Sequence, residues 1–153
     1  MSVFIIAEIG SVHNGDFRTA KKAVSLAKEC GADAVKFQLH ISEAETLKDA
    51  PSPAYFKAES RWDYFKRTAF TPKQWKKLKD HCDSKGIEFM ASPFSEDAVD
   101  VLKELKMRIW KIPLGEMTNL PMLRKIASFG QKIILSSGMS TWAEIEAAIK
   151  AIN

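Results

Sequence analysis

Cysteine is nearly missing. The 153 residues hold two, Cys30 and Cys82, with no Cys-x-x-Cys spacing. That excludes a disulfide framework and a cysteine-ligated zinc centre. It fits a reducing compartment, with both thiols as small core residues just before turns. Histidine is also scarce, at three. His13, in VHNG (12–15), reads as a loop residue, because no partner histidine lies at metal-ligand spacing; His40 and His81 carry less signal still. No apolar run is long enough to span a membrane. The apolar start, MSVFIIAEIG, has no basic residues and is interrupted by Glu8, so it does not read as a signal peptide. Charge of one sign does not accumulate either. The net charge is +4, and the lysines spread over helical segments as solvated faces. A nucleic-acid surface would need a basic stripe with interleaved aromatics. The nearest candidate, RWDYFKR (61–67), is broken by Asp63 and reads as a loop or short helix with aromatic anchors. Neither a nucleic-acid nor a membrane partner is expected, and a cytoplasmic location is.

What is present is a core and a rhythm. Hydrophobic residues make up 46% of the chain, enough for one domain of ordinary size and too many for a disordered chain. Strand-like and helix-like patterns alternate. Strands are expected at 3–9, 33–39, 87–92, 108–114 and 132–137. Helices are expected at 17–31, with Ala20, Val24, Ala27 and Leu26 on the apolar side, then at 71–86, 95–106, 118–130 and 140–152. Thr71, Ser95 and Ser140 read as N-caps, Pro72 as a first helical residue, and Gly31, Gly86 and Gly130 as stops. A longer irregular stretch, with Pro51 and Pro53, fills about 41–70. The four tryptophans, Trp62, Trp75, Trp110 and Trp142, read as packing residues.

Five strand–helix units in a row imply parallel strands with helical crossovers. An open doubly wound sheet and the first part of a (β/α)8 barrel both fit. The parity of the polar residues separates them. Phe4, Ile6 and Glu8 share one face; so do Ala34, Lys36 and Gln38, then Met90 and Ser92, Ile109 and Lys111, Ile134 and Ser136. On each strand this face ends in a polar residue, whereas the other face stays apolar. A barrel fills its interior with apolar layers and projects functional groups at the C-terminal mouth. A doubly wound sheet covers both faces with helices and should be apolar throughout. The barrel is therefore the expected architecture. Lys36 and Lys111, with the hydroxyls of Ser92 and Ser136, make a site for a phosphate or carboxylate. Glu8 and Glu116, the latter in a loop past the fourth strand, can orient a polar partner or move a proton. Simpler roles stand beside these. Lys36 can snorkel or form a structural ion pair with Glu8, and either serine can be a cap or turn former.

The motifs IIAEIG with HNG, GADAVKFQ, ASPFS, KIPLGE with TN, and IILSSGMS occur in that order. Together they resemble the N-terminal barrel region of the sialic acid synthase family, which makes N-acetylneuraminate and related nonulosonates. The resemblance runs from about residue 4 to the end. It implies a (β/α)8 barrel followed by a small antifreeze-like domain. It also implies condensation of phosphoenolpyruvate with an N-acetylmannosamine-type amino-sugar aldehyde, assisted by a divalent metal (Mn2+ or Mg2+), with release of phosphate. On that resemblance Lys36, Ser92, Lys111 and Ser136 bind phosphoenolpyruvate, and Glu8 and Glu116 act at the sugar and reacting end.

Departures from the family pattern are visible. Leu114 stands where a serine of KI-x-SGE is common, Val12 where an asparagine usually precedes the histidine, and Leu39 follows Gln38 in place of threonine. The family's metal-binding histidines lie in the second half of the barrel, so no metal ligand is expected within 1–153. The chain is read as the N-terminal portion of a longer synthase, without the remaining barrel and the antifreeze-like domain. It is expected to be inactive alone and homodimeric when full-length. The alternatives are another phosphoenolpyruvate-dependent sugar-acid synthase, a Schiff-base aldolase acting through Lys36 or Lys111, and an anion-binding fragment without chemistry.

Overall fold

The structure, a computed structural model, describes residues 3–51 and 59–153. Its strands are all parallel. β1 (Ile6–Gly10), β2 (Ala34–Leu39) and β3 (Glu88–Pro93) form one sheet in that order; β4 (Ile109–Ile112) and β5 (Lys132–Leu135) form a second ladder. β3 and β4 pack side by side without ladder hydrogen bonds. Parallel neighbours need crossovers. These are α1 (Phe17–Glu29) between β1 and β2, α5 (Glu96–Glu104) between β3 and β4, and α6 (Leu120–Ala127) between β4 and β5. The β2–β3 connection carries the single turn α2 (Ser42–Glu45), then α3 (Arg61–Thr68) and α4 (Pro72–Lys85), and α7 (Trp142–Ile152) follows β5.

The two strand faces divide as the alternation requires. Val35, Phe37, Phe89, Ala91, Trp110 and Ile112 join the core built with the helices, where they meet Val24, Trp75, Leu78, Leu102, Leu123 and Ile126. Ala34, Lys36, Met90 and Ser92 are also buried, yet lie outside that core, on the opposite face. The helices start and stop for local reasons. Thr71 and Gln74 form a capping box with Pro72 at the first turn, Gly86 closes α4 in the left-handed region, and Ser95 accepts from the Ala98 N–H.

Several expectations need correction. β1 begins at Ile6, and Phe4 is half exposed rather than part of the strand face. Leu26 lies on the exposed side of α1. The stretch 41–70 contains α2 and α3, because Ser60 and the 61–68 pattern supply a cap and a helical turn; Pro53 lies outside the described residues. α7 is capped by Thr141, not Ser140, since Thr141 and Glu144 form the capping box. α6 starts at Leu120 behind an Asn119 cap. Cys82 is a core residue whose thiol burial pushes up to about 12, but Cys30 is exposed. Trp75 and Trp110 pack in the core, whereas Trp142 is 82% exposed, because nothing among the described residues covers its side of α7.

The turn between β1 and α1 is fastened to α3. His13 is buried and stacks on Phe70 at 4.4 Å, and the Asn14 Oδ1 accepts from Arg67. Gly15 has φ +82°, and a Cβ there would stand 2.5 Å from the Arg67 carbonyl oxygen. Gly86, at φ +62°, has open space around it. Gly86→Ala should therefore cost about 1–2 kcal/mol, the penalty for a left-handed residue with a side chain. Gly15→Ala should cost clearly more, because the clash is with backbone. Urea denaturation of the full-length protein checks this; equal losses would mean that the Gly15 contact is relaxed at no cost.

Candidate functional site

The parallel register sets Glu8 opposite Lys36 and Gln38 opposite Ser92. Lys36 is buried, and burying an ammonium is costly unless it is paired. Its partner is Glu8, with Nζ 2.8 Å from Oε2. The Lys36 side chain is 8% exposed and that of Glu8 57%, so the pair spans from the interior to the surface. Lys36 Nζ also donates to Ser92 Oγ at 3.4 Å. On β4, Lys111 Nζ donates to the Ser136 hydroxyl and, at 3.1 Å, to the Ile112 carbonyl. Burial holds the Lys111 ammonium below the ordinary lysine range; the charge of Lys36 adds to this and Glu8 opposes it. The two lysines are thus within electrostatic reach of each other and of one carboxylate. Two ammonium groups with one acidic partner leave positive charge at the strand ends. An anion fits there, with the serine hydroxyls as directed hydrogen-bond donors once released from the lysines.

Five of the six residues expected from the sequence therefore meet: Glu8, Lys36, Ser92, Lys111 and Ser136. The ion-pair role of Lys36 is also realised. Glu116 stands apart from this group. It sits at the end of a short 3-10 turn, Leu114–Glu116, rather than in an irregular loop. Leu114, 46% exposed, opens that turn and reaches toward Gly138 in the turn after β5. Asn119 Nδ2 donates to Glu116 Oε2 at 2.8 Å, while Asn119 Oδ1 accepts from the Met122 N–H and caps α6. Burial pushes the Glu116 carboxyl above the usual range. Glu45 adds to the rise, while the Asn119 hydrogen bond and His40 oppose it.

Three polar residues near the strand ends were missed as site members by sequence reasoning. Gln38, on the same face as Lys36, accepts from the Ser11 hydroxyl at 3.3 Å; the strand alternation could have nominated it. His40 and Glu45 could not have been found that way. His40 follows the strand, and Glu45 sits in a stretch without periodicity, yet both side chains are buried and joined by a 2.8 Å contact between His40 Nδ1 and Glu45 Oε1. Glu45, Phe94, Glu96, Asp97, Glu116 and Asn119 line a cavity of about 530 Å³. Among the described residues, no group of three or more His, Cys, Asp and Glu side chains is arranged to hold a metal ion, and no helix is long and apolar enough to cross a membrane.

The NeuB family model matches residues 23–153. The chain is 41% identical over 153 residues to the N,N'-diacetyllegionaminic acid synthase of Campylobacter jejuni subsp. jejuni, covering 97% of this chain and 46% of that protein. It is 35% identical over 158 residues to the N-acetylneuraminate-9-phosphate synthase of Homo sapiens, covering 98% and 44%. The crystal structure of the N-acetylneuraminic acid (sialic acid) synthetase of Leptospira borgpetersenii, in complex with citrate, superposes with a TM-score of 0.85 at 32% identity, over 99% of this chain and 50% of that one. The chain thus spans about half the length of these relatives.

The Glu116 carboxyl yields a pH prediction. A group whose folded pKa is raised binds more protons folded than unfolded, so its contribution to stability falls as pH rises through that window. Glu116→Gln removes the ionisation and keeps an acceptor for Asn119. The variant should be more stable than the native protein at pH 7, and the difference should shrink as pH falls below the ordinary carboxylate value of 4.5. Chemical denaturation at pH 4 and pH 7 checks it; a variant less stable at pH 7 would show that the carboxylate is well accommodated.

Proposed function

Because the chain belongs to the NeuB family, we propose that it is the N-terminal part of a synthase that joins phosphoenolpyruvate to an N-acetylmannosamine-type sugar. The products are a nonulosonate and phosphate. The observation that carries this reading is the lysine cluster: Lys36 and Lys111, on strand faces of matching parity, each hydrogen-bonded to a serine beside Glu8. Phosphoenolpyruvate brings a phosphate and a carboxylate, which suit two ammonium groups. The alkene carbon of phosphoenolpyruvate forms a bond to the aldehyde carbon, and the aldehyde oxygen takes a proton. Glu116, held towards its neutral form by burial, is suited to give that proton. Water then adds to the cation at the former enol carbon, Glu8 receives one of its protons, and the carbon–oxygen bond to phosphate breaks as the new hydroxyl becomes the ketone and its remaining proton leaves with the phosphate.

The five units are read as part of a (β/α)8 barrel. The exposed apolar residues at its two ends support that reading: Val3, Phe4 and Ile5 before β1, and Met139, Trp142 and Ile149 beyond β5. Strands and helices of a longer chain would cover them. The family's divalent metal would be held by residues outside 1–153, and no step above depends on it.

Two substitutions in the full-length enzyme test the assignment. Lys111→Ala removes a charge-assisted contact of about 1.5–3 kcal/mol. It should raise the KM for phosphoenolpyruvate about tenfold or more; an unchanged KM would remove Lys111 from the site. A lysine of depressed basicity also suits Schiff-base chemistry, so borohydride trapping with a carbonyl substrate separates the readings: an adduct on Lys111 would favour an aldolase. Leu114→Ser should tighten phosphoenolpyruvate binding by returning a hydroxyl to the rim. Weaker binding would mean that the pocket is built around the leucine.

A further inference from the structure

The two lysines of the cluster are held differently. Lys36 has a carboxylate, Glu8, at 2.8 Å. Lys111 Nζ meets neutral oxygens instead: the Ser136 hydroxyl and, at 3.1 Å, the Ile112 carbonyl. Among the described residues Lys111 forms no ion pair, and the acid that acts on it electrostatically, Glu8, is engaged with Lys36. Lys111 is also partly buried. An amine that is desolvated and next to another cation gives up its proton more readily than a free lysine and becomes a nucleophile. Both conditions hold at Lys111, with burial the larger.

The surroundings also select the electrophile. Acylation would leave an uncharged amide, which gains nothing from a neighbouring ammonium. A protonated Schiff base would keep a positive charge against Lys36. Carbon dioxide alone of these gives an anion. Its carboxylate would stand within electrostatic reach of Lys36, with the Ser136 hydroxyl as a donor once Nζ no longer holds it.

We propose that Lys111 is a carbamylation site, whose amine takes up carbon dioxide reversibly and thereby closes the anion site. The ammonium first gives a proton to buffer. Its lone pair forms the nitrogen–carbon bond, one carbon–oxygen π pair moves onto oxygen, and a second proton leaves the nitrogen for buffer. The product is a carbamate and needs no oxidant or cofactor. Lys111 then carries a negative charge where it carried a positive one, so the cluster that attracted an anion repels it. The modification follows from the lysine cluster alone; its effect on phosphoenolpyruvate rests on the synthase reading above. The two exclude each other, because a bound phosphate or carboxylate holds Lys111 as the ammonium, which does not react.

The test uses the full-length protein equilibrated with isotopically labelled bicarbonate at pH 8. The carbamate is trapped as its ethyl ester with triethyloxonium ion and located by peptide mass spectrometry. Label should concentrate on Lys111 over exposed lysines such as Lys73, and saturating phosphoenolpyruvate should suppress it. Ser136→Ala removes a hydroxyl donor to the carbamate and should cut the labelled fraction about tenfold. Raising dissolved carbon dioxide at constant pH and ionic strength should raise the KM for phosphoenolpyruvate and leave kcat within about twofold. The trapping reads the native protein residue by residue, so it does not depend on how a variant folds. No label on Lys111, label no greater there than on exposed lysines, or label unmoved in Ser136→Ala would each overturn the proposal. Label on Lys111 that phosphoenolpyruvate does not suppress would instead remove phosphoenolpyruvate from the cluster and leave the carbamylation site standing.

Discussion

The structure depends on a buried lysine and the carboxylate across the ladder from it. Lys36 lies in the middle strand of a three-stranded parallel sheet, on the face away from the helices, and Glu8 meets it at 2.8 Å. Without Glu8 an ammonium would be stranded in the interior. The pairing ties the register of β1 to that of β2, because a slip of one residue would turn Glu8 to the helix side and leave Lys36 alone. Glu8 is largely exposed, so the pair reaches from the interior to the surface.

Charge of the two signs collects at different places past the strand ends. Lys36 and Lys111 make one end of the site positive, with Lys111 depressed mainly by burial and further by Lys36. Glu45, Glu96, Asp97 and Glu116 make a cavity acidic. Glu116, half-buried and with its carboxyl pushed up by burial, lies on the acidic side.

Much of this was legible in the chain. Alternation of strand-like and helix-like segments implied parallel strands, and the parity of Glu8, Lys36, Ser92, Lys111 and Ser136 placed them on one side; the structure brings these five together. Period-2 geometry makes such a face readable without tertiary information. Local rules also fixed most helix ends, and failed where two cap residues stood side by side, as with Ser140 and Thr141. There the choice went to the residue with a glutamate three positions on. The packing role of Trp142 failed for a different reason. Helical periodicity says that a face is apolar, not that anything lies against it.

The pattern of residues alone determined the parallel strand order of events along the chain, the inward parity of the lysines and serines, and the motifs that mark the NeuB family, because each of these is set by short-range spacing. Only the tertiary structure decided that Glu116 stands beside Asn119 and a cavity rather than among the lysines, and that His40, clamped between Phe65 and Phe94, holds Glu45 at the same rim. Those contacts join residues from β2, α2, α3 and the ends of β3 and β4. No periodicity links such segments; they meet because parallel strands deliver all of their C-terminal ends to one side of the sheet.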